Sequence, residues 1–145
     1  MTMNQFRLVA VILIAFNALG SVATWLAGLQ NPKVGVANAL GGGTQFTGPL
    51  VLLFLACCAL ALTYTQSRRL QRIGAVLVGL WGASFALGDL TQLFQHNDGI
   101  SQGRWDVVLG GAVIGIVLGV ATATCAVRLL LAQRRERRLG EVGVA

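Results

Sequence analysis

The chain reads as an all-α integral membrane protein: a four-transmembrane-helix bundle with both termini cytoplasmic. Three observations predict this. Of its 145 residues, 55% are hydrophobic and only 11% charged, where soluble domains carry roughly a quarter charged residues. The apolar residues gather in four long runs, the composition expected of segments that face lipid. When those runs are threaded back and forth, nine of the eleven Lys and Arg residues fall on one side. A water-soluble domain is excluded on these grounds. A β-barrel is excluded too, because stretches such as Leu50-Val51-Leu52-Leu53-Phe54-Leu55 are continuously apolar where barrel strands alternate.

Helix one is predicted over residues 7–29. A cleaved secretory signal does not fit it, since a signal's apolar core is roughly 7 to 15 residues with the cleavage site close behind. Here the candidate site, the small-x-small pattern Ala37-Asn38-Ala39, lies well past the end of a longer run. Helix two is predicted over 48–65, with Pro49 suited to a first turn. It is the shortest run, and at about 1.5 Å per residue its 18 residues reach about 27 Å, close to a hydrocarbon thickness of roughly 30 Å. The preceding link holds Pro32 and Gly41-Gly42-Gly43. No Lys follows at phosphate-loop spacing and no strand precedes it, so it reads as a plain loop. Helix three is predicted over 73–94, and helix four over 107–132 after a second outer link, 95–106. The link 66–72 is too short for anything but a tight turn, which makes helices two and three an antiparallel hairpin. Residues 133–145 form a short basic tail, and 1–145 is a single domain.

Orientation follows from retention of Lys and Arg on the cytoplasmic side. Arg7, Arg68, Arg69, Arg72, Arg128, Arg134, Arg135, Arg137 and Arg138 share one side, leaving Lys33 and Arg104 on the other. The expected location is the plasma (inner) membrane. Lys-poor, Arg-, Ala- and Gly-rich usage points to a bacterial source. The same arithmetic explains a net charge of +6 without nucleic acid, for which stacking aromatics among the basic residues are absent.

In a bilayer, helices associate through small residues and a few interhelical hydrogen bonds. Gly111, Gly115, Gly119 and Ala123 repeat every four residues in helix four, matched by Ala75, Gly79 and Ala83 in helix three and by Gly20, Thr24 and Gly28 in helix one. These stripes are expected to pack within the chain, with contact between copies as the alternative. Asn17, in the middle of helix one, is expected to bond across helices, with Ser84 or Thr122 as candidate partners. Cys57, Cys58 and Cys125 are expected as small buried apolar residues.

Asp89 is the only acid inside an apolar run, and an ionisable side chain there is costly enough to be a functional candidate. With Gln92 and His96 on the same face and Arg104 across the outer link, it marks either an outward site for a cation or cationic ligand, or an interfacial strut. His96 with Asp98 and Asp106 lacks the further soft ligands of a zinc or copper site, so no metal and no cofactor are expected. No spacing suggests a catalytic nucleophile. Arg134, Arg135, Arg137 and Arg138 are expected to contact anionic lipid headgroups or a partner's acidic surface. Trp25 and Trp105 suit the outer interface, while Trp81 lies deeper. The leading functional expectation is a non-enzymatic accessory or structural subunit of a membrane complex, with a membrane-protein partner or a homo-oligomer. The alternative is a small oligomeric transporter or channel built around Asp89.

Overall fold

The computed structural model describes residues 2–26, 50–94 and 105–142, without the side chains at 24–26, 92–93, 105–108 and 137–142. Four helices follow one another: α1 (Met3–Leu26), α2 (Leu50–Leu62), α3 (Arg68–Phe94) and α4 (Trp105–Val142). There is no strand among the described residues. Three helices hold stretches long and apolar enough to cross a bilayer: Met3–Ala23, Arg68–Thr91 and Leu109–Glu136. The remaining helix, α2, has 13 residues among those described, about 20 Å of helix.

Local chemistry accounts for where the helices begin and end. α1 starts four residues before the predicted run because Thr2 and Gln5 form a reciprocal cap. The Thr2 N–H donates to Gln5 Oε1 at 2.9 Å and the Gln5 N–H to Thr2 Oγ1 at 3.3 Å, satisfying two donors that a helix start leaves orphaned. α2 stops at Leu62 rather than at residue 65. The N–H groups of Thr63, Tyr64 and Thr65 reach back three residues, to Leu60, Ala61 and Leu62, which tightens the last turn. The Thr63 and Thr65 hydroxyls also donate to the Leu60 and Leu62 carbonyls at 2.7 and 2.8 Å, a second donor for each of these helix-end acceptors.

The turn is therefore 63–67, not 66–72. Ser67, a favoured residue type just before a helix, precedes α3, and Arg68, Arg69 and Arg72 are helical. α4 likewise continues through the predicted tail as far as Val142. A run of Arg, Glu and Leu with no Gly or Pro before Gly140 gives the helix no reason to stop at residue 132.

α3 and α4 form the most extensive interface; α1 lies mainly on α4 and α2 mainly on α3. Buried positions in α4 run Ala112, Gly115, Gly119, Thr122, Ala126, Leu129, and one buried line in α3 runs Ala75, Gly79, Gly82, Ala86, Asp89, with Gly74 and Val78 buried beside it. Steps of three and four alternate in both, the 3.5-residue period of helices packed side by side. This corrects the four-residue stripe. Four residues turn a helix by about 400°, so such a stripe drifts about 40° per step and leaves the seam. Gly111 accordingly has nothing within 4 Å of where a side chain would begin, while Ala83 and Ala123 turn to a groove beside the seam.

α1 contributes Phe6, Ala10, Leu13 and Asn17, one buried stripe, α2 contributes Ala56 and Ala59, and Thr63 just beyond its end is buried with them. The largest buried cluster joins Phe6, Ala10, Ala59, Ala75, Val78, Ala126 and Leu129. All four helices thus meet at the end that carries the arginines. Elsewhere large apolar side chains point outward on every helix, Leu19, Phe54, Leu80, Leu87 and Val117 among them, as lipid-facing surfaces do.

Candidate functional site

The α3–α4 seam is closest at Gly82 and Gly119. A Cβ on Gly119 would lie 2.5 Å from the Gly82 carbonyl oxygen and 2.9 Å from Ala86 Cβ, and one on Gly82 would lie 3.0 Å from both the Gly119 oxygen and Thr122 Cβ. Backbone therefore meets backbone here. Gly79 repeats the arrangement one turn along, its missing Cβ only 2.6 Å from that of Ala126.

Asp89 lies two turns further up the same seam, five residues from the end of α3. It is only 4% exposed. Its carboxyl group occupies the space that a side chain on Gly115 would take, alongside Phe85, whose Cε1 is 3.0 Å from the same point. Phe85 in turn rests on Trp81, with ring centroids 5.7 Å apart and planes tilted by 37°. Oδ2 of Asp89 is buried and has no hydrogen-bond partner among the described residues, an arrangement that costs free energy unless something else satisfies it.

Of the outward polar strip, Asp89 is the member whose position is described. The side chain of Gln92, and His96 and Arg104 altogether, lie outside the described residues, as do Gly28, Lys33, the Gly41–Gly43 link, Asp98 and the side chains of Trp25, Trp105 and Asp106.

The opposite end of the molecule is tied together by arginines. Arg7 Nε donates to Thr63 Oγ1 at 3.4 Å, Nη1 to Asn4 Oδ1 at 3.1 Å and Nη2 to the Thr63 carbonyl, and its guanidinium lies 4.3 Å from the centre of the Tyr64 ring. This joins the start of α1 to the end of α2. Arg72 Nε donates to Gln133 Oε1 at 2.9 Å, joining the start of α3 to the end of α4, and Gln71 Nε2 donates to the Thr65 carbonyl at 2.7 Å across the turn. Beside the Arg72–Gln133 contact is a pocket of about 170 Å³ lined by Arg68, Gln71, Arg72, Gln133 and Glu136.

Sequence reading did not single out this ring. Its one prior signal was Thr63 and Tyr64 ending an apolar run at the depth where Arg7 begins another. Arg134 and Arg135 are exposed on α4, and Arg137 and Arg138 are known only as helical backbone.

Asn17 is buried, and its backbone carbonyl accepts the Ser21 hydroxyl at 3.0 Å. Of its two candidate partners, Ser84 is exposed, and Thr122 donates to the Leu118 carbonyl at 2.8 Å within α4. The cysteines are free; Cys57 and Cys58 are exposed and Cys125 half-buried. The expectation of burial fails for the α2 pair because only the Ala56–Ala59–Thr63 stripe of that edge helix turns inward. No group of three metal-ligating side chains gathers among the described residues.

The helices define a class, an all-helical protein with three helices fit to span a membrane. Comparison with known proteins finds no matching family model, curated protein or solved structure.

Proposed function

We propose that this chain is a non-enzymatic accessory or structural subunit of a membrane complex, held in a bacterial plasma membrane by four crossings with both termini cytoplasmic. The observation that supports this best is the position of α2. It packs chiefly on α3 and less on α1, and it leaves Val51, Phe54 and Leu55 exposed along its free side. A helix with one covered face gains from a neighbour that buries the other, since helices in lipid gain most from close packing. Mild-detergent extraction of the full chain from its native membrane is the test. A stoichiometric membrane partner, lost on replacing Phe54 and Leu55 with Ala, is the expected result. Purification as a lone monomer would overturn it.

A second reading is supported by the unpartnered carboxyl oxygen of Asp89. In it the chain is a small oligomeric transporter or channel, and Asp89 holds a cation or proton on its way across, with Gln92, His96 and Arg104 nearby in sequence. Asp89→Asn keeps the volume of the side chain over Gly115. Intact assembly with lost cation flux in liposomes supports this reading; intact assembly with unchanged flux, or no flux in the parent protein, rejects it.

A further inference from the structure

We propose that the pocket between the start of α3 and the end of α4 binds the phosphodiester headgroup of an anionic phospholipid. The inference is independent of which side of the membrane this end faces. Arg68 and Arg72 stand one turn apart, so their side chains share a face of α3, and both line the pocket. Arg72 is held in place by its Nε bond to Gln133, which orients the guanidinium plane before any ligand arrives. Arg68 is exposed.

Glu136 lines the same pocket, yet no ion pair joins it to either arginine among the described residues. Two like charges one turn apart repel one another, and the positive end of the α3 dipole adds to that repulsion. A counter-anion from outside the chain relieves both. Two guanidiniums and one carboxylate leave one net positive charge, the complement of a phosphodiester's single negative charge. The planar guanidinium fork also matches phosphate oxygens in geometry.

A lipid is favoured over free phosphate by what surrounds the pocket. It opens at the ends of two helices long and apolar enough to span a bilayer, and Leu70, Ile73 and Leu131, in the same turns, are exposed apolar residues along which acyl chains would run. Basic pockets between helices at a membrane surface take anionic headgroups for this reason.

The test is native mass spectrometry of the detergent-solubilised full chain, titrated in turn with phosphatidylglycerol, phosphatidylcholine and inorganic phosphate. Phosphatidylglycerol is expected to remain bound and phosphatidylcholine to dissociate. Arg68→Gln, at an exposed residue whose side chain makes no hydrogen bond among the described residues, is expected to weaken phosphatidylglycerol binding about fivefold, and Arg68→Gln with Arg72→Gln about twentyfold. Arg69→Gln with Arg128→Gln, both exposed and outside the pocket, leaves binding nearly unchanged. Equal losses in the two double variants would assign the effect to diffuse surface charge and overturn the site. So would equal retention of phosphatidylcholine, or unaltered binding in Arg68→Gln and the pocket pair. Displacement of the lipid by millimolar phosphate would overturn the choice of a lipid ligand.

Discussion

Gly119 and Gly82 face each other with no side chain on either, and a new Cβ on Gly119 would strike the Gly82 carbonyl oxygen and the Cβ and backbone nitrogen of Ala86. Backbone does not rotate aside, so Gly119→Ala forces the two helices apart. The expected cost is about 1 to 3 kcal/mol, read as a lower SDS fraction at the midpoint of unfolding in mixed micelles by circular dichroism. Gly111→Ala, eight residues from the approach and with open space around it, is expected to leave that midpoint unchanged or raise it slightly, since Ala favours helix over Gly. Gly115→Ala is intermediate in kind: its Cβ meets the Asp89 carboxyl, a side chain that can swing away, so it displaces the acid while costing less than Gly119→Ala. That small residues would pack was legible from their type and rough spacing. Their period was not, because four-residue and 3.5-residue repeats share Gly115 and Gly119 and diverge only at Gly111, Ala112, Thr122 and Ala123.

Elements are joined in pairs at their arginine-bearing ends. α1 is pinned to α2 by Arg7, which bonds both the hydroxyl and the carbonyl of Thr63 while stacking on Tyr64. Hydrogen bonds from a charged donor contribute about 1.5 to 3 kcal/mol, and the ring contact about 0.5 to 1 kcal/mol where exposed. Arg7→Ala is therefore expected to lower the thermal midpoint of the solubilised protein by several degrees, and Tyr64→Leu by less; equal midpoints in Arg7→Ala and the parent protein would discard the pin. The turn between α2 and α3 shows why element ends escaped the sequence. Hydropathy places a boundary where apolar residues stop, whereas the backbone ends α2 where Thr63 and Thr65 capture its carbonyls and begins α3 at an arginine that hydropathy counts against a helix.

At the scale of the whole molecule, the chain sorts its charge along its length. Arg7, Arg72 and Gln133 meet partners at one end, and Asp89 lies toward the other, near the end of α3. The proposed topology predicts that alkaline phosphatase fused after residue 40 is active outside the cytoplasm, that the same enzyme fused after Ser67 is inactive, and that a fluorescent protein after Ala145 is bright. Activity at both phosphatase positions would mean that α2 does not cross. The main cluster, from Phe6 to Leu129, involves all four helices at the arginine end. Destabilising substitutions there, such as Val78→Ala, should loosen every helix together, seen as one transition rather than two.

By itself the sequence determined that this is a helical membrane protein with apolar runs of spanning length, and that Asp89 stands apart from the other charges. Those properties depend on composition and run length, which do not change with how the helices pack. Only the tertiary structure decided that Gly82 and Gly119 are the point of closest approach, that the Asp89 carboxyl rests over Gly115 without a partner, and that Arg68 and Arg72 share a pocket with Gln133 and Glu136. Each of these joins residues more than twenty positions apart, and the rotation of one helix against another sets them. A helix exposes several nearly equivalent apolar faces to lipid, so its own sequence leaves that rotation open until a neighbour's small residues select one face.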